Sequence, residues 1–134
     1  MNSKMQRGGS CMCGATRFVV HGEPLKTAIC HCNTCQKWTG SAFAAAAKFT
    51  GDQVCWLHDE PIAYPSSEAL GRSFCAKCGC SIAFHATDGP VWLNLGLFDD
   101  GPELTSDFHL FAPHELPWAH LKDDLPRYEK FDPA

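Results

Sequence analysis

The sequence lacks several features that identify common classes of protein. No apolar run approaches the roughly 18 to 20 residues that a membrane-spanning helix needs, so we expect no membrane partner. The first ten residues contain no hydrophobic leader, and we therefore expect a cytoplasmic protein whose thiols stay reduced. Acidic residues outnumber basic ones by 15 to 11, which leaves no basic footprint and predicts no nucleic-acid partner.

The sequence also contains no internal repeat, low-complexity tract or linker, so we interpret residues 1–134 as a single domain. Hydrophobic residues make up 45% of the chain, which is enough for one modest core. Nine prolines and 11 glycines are spread evenly and divide the chain into short pieces. This pattern predicts a mainly β fold of short strands with very little helix.

Short apolar pieces bounded by turn residues predict the individual strands. These pieces are residues 16–20, 53–57, 62–64, 81–85, 91–98 and 107–111. Residues 42–48 are ambiguous, because four successive alanines favour a helix by propensity. The short length of the segment and the neighbouring Phe43 and Phe49 favour a buried strand, which is our prediction.

The predicted helical content is one or two turns, from Asn33 as the N-cap through Lys37. Beyond the last strand, residues 113–131 combine prolines with large apolar side chains. An irregular segment whose apolar side chains pack over the sheet is the simplest interpretation, because exposed aromatic rings in such number favour aggregation.

Cysteine, in contrast, is abundant. Seven of the nine cysteines form three clusters: Cys11-x-Cys13, Cys30-His31-Cys32-x-x-Cys35 and Cys75-x-x-Cys78. A disulfide scaffold fits them poorly, because the number is odd and a C-x-C step is too tight for a bridge within a cluster. In a reducing compartment such clusters indicate metal binding.

The two outer clusters each supply one pair of thiols, and two such pairs can form a closed four-thiolate zinc site. Cys11, Cys13, Cys75 and Cys78 are therefore the predicted ligands of a structural zinc, although the sequence alone does not prove which pairs join. Gly14 and Gly79 follow the two pairs and would let the backbone turn tightly around the metal.

The middle cluster supplies three thiols by itself. In an extended segment Cys30 and Cys32 share one face and His31 points away, while Cys35 returns through a short turn. Three thiolates on one zinc leave a fourth position for a substrate, as in many catalytic sites. Alternatively a protein side chain closes the site and makes it structural, and the candidates are His31, Cys55, Cys80 or another histidine.

Polar residues follow the middle cluster directly. Gln36, Lys37, Thr39 and Ser41 are candidate substrate-binding residues, since polar side chains beside an open metal are natural substrate contacts. Lys37 could balance the anionic zinc site or hold a substrate carboxylate, but it could equally be a solvated surface lysine. Thr39 and Ser41 could equally be turn residues around Gly40.

Together these motifs resemble one known family. The runs are Gly9-Ser10-Cys11-x-Cys13-Gly14, Cys30-His31-Cys32-x-x-Cys35-Gln36-Lys37-x-Thr39-Gly40-Ser41 and Arg72-x-Phe74-Cys75-x-x-Cys78-Gly79. In this order they resemble the glutathione-dependent formaldehyde-activating enzyme family, whose domain is also called CENP-V/GFA. The resemblance extends over about residues 9–128.

The resemblance implies an Mss4-like fold of short antiparallel strands stapled by zinc. It implies two zinc ions per chain, a structural one on the four outer cysteines and a catalytic one on Cys30, Cys32 and Cys35. The implied activity is that of a carbon–sulfur lyase, similar to S-(hydroxymethyl)glutathione synthase, which joins or splits a small thiol and an aldehyde such as formaldehyde. The expected partners are thus a small-molecule thiol and an aldehyde.

Two other functions compete with this one. The chain could be a non-catalytic zinc-binding interaction module, but the branch of the family that suggests this role should carry a basic extension, and this sequence has none. It could also be a metal buffer or sensor that uses the middle cluster as a labile site. The sequence assigns neither the oligomeric state, nor the general base, nor a role for Cys55 and Cys80.

Overall fold

The computed structural model of the chain describes residues 5–86, 89–100 and 104–133. These residues form ten strands: β1 (Gln6–Ser10), β2 (Thr16–His21), β3 (Lys26–Cys30), β4 (Ala44–Phe49), β5 (Val54–His58), β6 (Ile62–Pro65), β7 (Leu70–Phe74), β8 (Ser81–Ala86), β9 (Val91–Asn94) and β10 (Phe108–Leu110). One short helix, α1, spans Asn33–Thr39. Short 3-10 turns occupy Gly51–Gln53, Leu95–Leu97, Ala112–His114 and Pro117–Ala119. The prediction of a mainly β fold with very little helix is confirmed.

The strands form two sheets. The smaller sheet has the order β1-β2-β5, and the larger has the order β10-β3-β4-β9-β8-β7-β6. Neighbouring strands are antiparallel except β10 and β3, which run parallel. This arrangement, with the cysteine clusters at the strand ends, is consistent with a zinc-stapled Mss4-like fold.

The ambiguous alanine segment is a strand, as predicted. It forms β4, which lies between β3 and β9 near the middle of the larger sheet. Ala47 and Phe49 face the core and are fully buried. Helix propensity is overridden here, because hydrogen bonding on both edges and burial of this face contribute more than the intrinsic preference of alanine.

The core contains three packed phenylalanines from different parts of the chain. The Phe18 and Phe98 rings lie 5.1 Å apart, and Phe49 and Phe98 lie 6.1 Å apart, measured between ring centroids. Ile82 and Leu93 add fully buried aliphatic side chains. Full burial of one such side chain contributes roughly 1.5–3 kcal/mol of transfer free energy.

Gly9 lies on β1 where this strand packs against the core. A Cβ atom added to it would lie 2.4 Å from the Phe18 ring and 2.5 Å from the Leu97 carbonyl oxygen. Both distances are far below normal van der Waals contact. A glycine at this position therefore lets β1 approach the core.

Two differences between the predicted and observed boundaries have a clear structural cause. The strand predicted over 91–98 ends at Asn94, because a 3-10 turn closed by the Phe98 N–H and the Leu95 carbonyl, 3.2 Å apart, carries Phe98 into the core. The helix has Cys32, not Asn33, as its N-cap, because the Cys32 sulfur accepts the hydrogen bond of the Cys35 N–H.

The C-terminal segment folds back along β10. The His109 N–H donates to the Pro126 carbonyl and the Tyr128 N–H donates to the His109 carbonyl, at 2.8 and 2.9 Å. The prediction that its apolar side chains cover the sheet holds for Tyr128, whose ring contacts Phe108, but not for Trp118, which is 73% exposed. No helix within the described ranges is long and apolar enough to cross a membrane.

Candidate metal centres and the cavity beside them

The four-cysteine cluster joins two loops that are distant in the sequence, one after β1 and one after β7. Its members are Cys11, Cys13, Cys75 and Cys78. Gly14 and Gly79 end the two loops with positive φ angles of 82° and 77°, a conformation that glycine adopts without strain. The predicted pairing of the two outer cysteine motifs is thus present in the fold.

The sulfur positions in this cluster fit a tetrahedral metal. Cys13 Sγ lies 3.6 Å from Cys11 Sγ and 3.8 Å from Cys75 Sγ. Four sulfurs bound at about 2.3 Å to one tetrahedral zinc are about 3.8 Å apart. The sulfurs of a disulfide are only about 2.05 Å apart. The cluster therefore has the spacing of a metal site and not of a disulfide.

Backbone donors stabilise thiolates in the same cluster. The N–H groups of Lys77 and Cys78 point at Cys75 Sγ from 3.4 and 3.5 Å. The Cys78 N–H is the largest cause of the shift that lowers the pKa of Cys75 to about 6. Because the thiolate, not the thiol, is the metal ligand, these donors favour metal binding.

The middle cluster is assembled by the junction of β3 and α1. Cys30 is the last residue of β3, Cys32 caps α1, and Cys35 lies in the first turn of that helix. Their three sulfurs lie within 4.8 Å of one another. Hydrogen bonds from the thiols of Cys30 and Cys35 lower the pKa of Cys32. We call these three residues the cysteine trio; they too could hold a metal ion.

The proposed fourth protein ligands lie elsewhere. The sulfur of Cys55 is exposed on β5, in the smaller sheet. Cys80 lies beside the four-cysteine cluster, where its carbonyl accepts from the Cys75 N–H at 3.0 Å. His31 is fully buried and points away from the trio, as the alternation predicted. Among the described residues the trio therefore has three protein ligands, the number typical of catalytic zinc.

His31 meets His109 and Glu115 in a third group of potential ligands. The two histidine nitrogens, however, are only 2.8 Å apart. Nitrogens bound to the same tetrahedral zinc at about 2.0–2.1 Å would be about 3.3 Å apart. Glu115 already accepts hydrogen bonds from His120 and Arg127. The group is thus a hydrogen-bonded network and does not have the spacing of a metal site.

A cavity of about 380 Å³ opens beside the trio. It lies over one face of the larger sheet, with small side chains on β3 and β4 at its base. Ala28 pairs with Ala46, and Cys30 pairs with Ala44, in the antiparallel register. Because alternate residues share a face of a sheet, these small side chains leave room directly next to the trio.

Aromatic and cationic side chains form the rest of this face. One row of directly paired residues crosses five strands in the order Arg72, Phe84, Trp92, Lys48 and Lys26. All five line the cavity. The Phe84 and Trp92 rings are stacked with centroids 5.4 Å apart. The cavity therefore has an aromatic wall with Arg72 at one end and Lys48 at the other, while Lys26 pairs with Asp132, a further lining residue, at 2.6 Å.

The four candidate substrate-binding residues lie outside the lining of this cavity. Gln36 Nε2 donates to the carbonyls of His31 and His114, at 2.8 and 3.0 Å. The Thr39 hydroxyl donates to the Cys35 carbonyl at 2.9 Å. Through these bonds Gln36 and Thr39 fix the backbone that carries the trio.

Lys37 and Ser41 lie farther from the trio. Lys37 lines a smaller cavity of about 270 Å³ that shares Thr34 and Arg72 with the larger one. Ser41 is exposed, and its N–H donates to the Thr39 hydroxyl at 3.2 Å. The structure thus places Lys37 near Arg72 and leaves Ser41 at the surface.

The lining residues Arg72, Trp92 and Lys48 were not predicted as site residues. Each is far from the trio in the sequence and reaches the cavity only through the register of the sheet. Part of the lining could have been found from the two-residue period of the strands. Lys26, Ala28 and Cys30 on β3 lie on the same face of the sheet as Ala44, Ala46 and Lys48 on β4.

The chain is similar to known proteins in both sequence and fold. The sequence pattern of the family described as glutathione-dependent formaldehyde-activating enzyme (GFA) matches residues 6–114, which contain all three cysteine clusters. A Schizosaccharomyces pombe protein described as an uncharacterized lyase is 33% identical over 102 residues, which are 74% of this chain and 73% of that protein. The crystal structure of a Rhodobacter sphaeroides protein superimposes with a TM-score of 0.57 at 20% identity, over 69% of this chain and 88% of that one. This last similarity concerns the fold. By the match over residues 6–114 and the similarity to the lyase, the chain belongs to the glutathione-dependent formaldehyde-activating enzyme family.

Proposed function

We propose that the protein is a zinc-dependent enzyme of the carbon–sulfur lyase type that joins or splits a small thiol and an aldehyde. The observation that carries the proposal is the cysteine trio, with three protein ligands among the described residues, beside a cavity large enough for small molecules. Membership of the family and similarity to a protein described as a lyase support the same reaction class. Glutathione and formaldehyde are the first substrates to test.

The reaction is an addition without redox change. The thiol sulfur forms a bond to the carbonyl carbon, the carbon–oxygen double bond becomes single, and the thiol proton moves to the oxygen. The product is a hemithioacetal, and the reverse reaction breaks the same carbon–sulfur bond. A zinc ion would lower the pKa of the thiol and draw electrons from the aldehyde oxygen.

The residues of the chain position these groups. Cys30, Cys32 and Cys35 would hold the ion at the edge of the cavity, and Ala28 and Ala46 leave space beside the trio. The confined space would hold thiol and aldehyde together and convert a bimolecular encounter into an oriented one. Phe84 and Trp92 line the same cavity and would limit access of water to the reacting groups.

The four-cysteine cluster has a different role in this proposal. It ties the loop after β1 to the loop after β7 and so connects the two sheets. A zinc ion there would contribute folding free energy, because the unfolded chain offers no preformed site. With a structural zinc in the four-cysteine cluster and a catalytic zinc at the trio, the proposal requires two zinc ions per chain.

The test combines metal analysis with kinetics. Purified protein should contain two zinc ions per chain, by mass spectrometry of the metal, and should accelerate the exchange between free thiol and hemithioacetal measured by NMR. A Cys32→Ser variant keeps a good N-cap for α1, and we expect it to fold, keep one zinc and lose the acceleration. Cys55→Ser is the matched control, since Cys55 lies outside every cluster. Undiminished acceleration by folded Cys32→Ser would refute the proposal.

A further inference from the structure

The side chain of Arg72 is held in a fixed position at one end of the aromatic wall. Its guanidinium carbon lies 4.8 Å from the centroid of the Trp38 ring and 5.4 Å from that of Phe84. Contact with aromatic rings at such distances is favourable for a cation. The planar guanidinium is thus immobilised before any ligand arrives.

Arg72 is also buried, and no carboxylate among the residues that the structure describes pairs with it; the nearby groups that feel its charge are the Cys32 and Cys35 thiols. Three of the four arginines pair with a carboxylate: Arg7 with Glu23, Arg17 with Asp99 and Arg127 with Glu115. Arg72 is only 9% exposed, and its Nε and Nη1 atoms are buried without a hydrogen-bond partner. An unpaired buried charge is costly, and a fold retains one where something else supplies the opposite charge.

The position of Arg72 identifies where that opposite charge binds. Its side chain lines both the larger cavity, which contains Cys30, Cys32 and Cys35, and the smaller one. An anion in the larger cavity would therefore be within reach of both the guanidinium and the trio. A carboxylate oxygen there could accept a charge-assisted hydrogen bond from Nη2, the guanidinium nitrogen that is not among the buried unpartnered atoms.

We propose that Arg72 binds a carboxylate group of the thiol substrate, so that the substrates of this enzyme are small acidic thiols. The inference rests on the proposed function and adds the substrate class. Phe84 and Trp92 would pack against the carbon atoms between the carboxylate and the sulfur. Lys48, whose ammonium lies 5.8 Å from the centroid of the Trp92 ring, adds positive potential at the far end of the wall.

The experiment compares two thiols of equal size that differ in charge, 3-mercaptopropionate and 3-mercaptopropionamide. Isothermal titration calorimetry of the zinc-loaded protein should show that the acid binds roughly 10- to 100-fold more tightly than the amide, which is the size of a charge-assisted hydrogen bond. In Arg72→Gln the acid should lose this advantage while the affinity for the amide stays the same. Arg72→Lys should restore part of the advantage, because it keeps the charge but not the planar guanidinium that packs against Trp38 and Phe84.

Arg17→Gln is the matched control, because it removes an equal charge at an exposed ion pair on β2. This variant should retain the preference for the acid. Equal affinity of the wild-type protein for both thiols would overturn the inference. An Arg72→Gln variant that weakens the acid and the amide equally, with loss of zinc from the trio, would also overturn it, since Arg72 would then only balance the charge of the metal site.

The same two thiols separate this inference from the proposed function. If only the inference about Arg72 is wrong, the protein still accelerates hemithioacetal formation, either equally well with both thiols or with a preference for the acid that Arg72→Gln retains. If the chemistry itself is wrong, neither thiol shows acceleration, whatever their relative affinities. Should Arg72→Gln fail to fold, the wild type is compared with Arg72→Lys. The ratio of the affinities for the acid and the amide should then be smaller in Arg72→Lys than in the wild type.

Discussion

His31 Nε2 lies 2.8 Å from His109 Nδ1, and both rings are completely buried. The other nitrogen of His109, Nε2, lies 3.0 Å from the Asp123 carboxylate. Since an ionised carboxylate only accepts hydrogen bonds, His109 donates from Nε2 and accepts at Nδ1, and His31 donates to it from Nε2. This chain of contacts links the C-terminal segment to the residue between Cys30 and Cys32.

We expect His109→Ala to loosen the cysteine trio. The substitution removes the acceptor of a buried hydrogen bond and leaves a void, so the free energy of unfolding should fall by about 2–4 kcal/mol. Zinc bound at the trio should transfer faster to a chelator, whereas zinc at the four-cysteine cluster should not. His21→Ala, at an exposed position, is the control. Equal release rates in both variants would show that the contact does not support the trio.

Cys75→Ser should act on the fold and not only on activity. Cys75 is 1% exposed and brings the loop after β7 to the loop after β1. Loss of this ligand should remove one zinc ion and lower the free energy of unfolding by more than about 3 kcal/mol, because the bound metal contributes directly to folding. Chemical denaturation and metal analysis test this expectation. A Cys75→Ser protein as stable as Cys55→Ser would argue against a structural zinc.

Gly9→Ala should destabilise the protein through steric contact alone. The new methyl group would meet the Phe18 ring and the Leu97 carbonyl at 2.4 and 2.5 Å. Such overpacking typically costs about 1–3 kcal/mol. Gly96→Ala is the matched control, since an added Cβ at Gly96 has no neighbour within 4 Å. If both alanine variants unfold at the same denaturant concentration, the close approach of β1 to the core is not as described.

Glu115 gives the stability a defined dependence on pH. Desolvation would raise its pKa, but hydrogen bonds from His120 and Arg127 outweigh it and lower the pKa to about 2. A carboxyl whose pKa is lower in the folded state stabilises the fold above its unfolded pKa, and this stabilisation is lost as the pH falls through the folded pKa. The Glu115 contribution should therefore decrease from about pH 4.5 towards pH 2.

The measurement is the difference in free energy of unfolding between the wild type and Glu115→Gln across this range. The difference should be largest at neutral pH and shrink as the pH approaches 2. Taking the difference removes the acid-induced loss of zinc, which affects both proteins alike. A difference that stays constant between pH 7 and pH 2 would contradict the network around Glu115.

Local patterns predicted the cysteine clusters that could hold metal ions, whereas the cavity beside them depends on longer-range geometry. Cysteine spacing is a local property, so the trio and each outer pair follow from the sequence, whereas the joining of Cys11 and Cys13 with Cys75 and Cys78 is seen only in the fold. β1 was missed because Gly8 and Gly9 have low strand propensity, and it forms through tight packing on its neighbours. Asn33 was chosen as the N-cap because its side chain is a common cap, whereas the sulfur of Cys32 takes that role. Arg72 reaches the cavity only through pairing with Phe84, a register that one sequence does not specify.

Cobalt substitution tests whether the trio binds a thiol substrate while the four-cysteine cluster is closed. Protein loaded with two cobalt ions per chain would be titrated with 3-mercaptopropionate and followed by its ligand-field absorption. We expect the bands of one cobalt ion to change and saturate, and we expect no change in Cys32→Ser, which retains the other ion. A spectrum that remains constant at saturating thiol in the wild-type protein would contradict thiol binding at the trio.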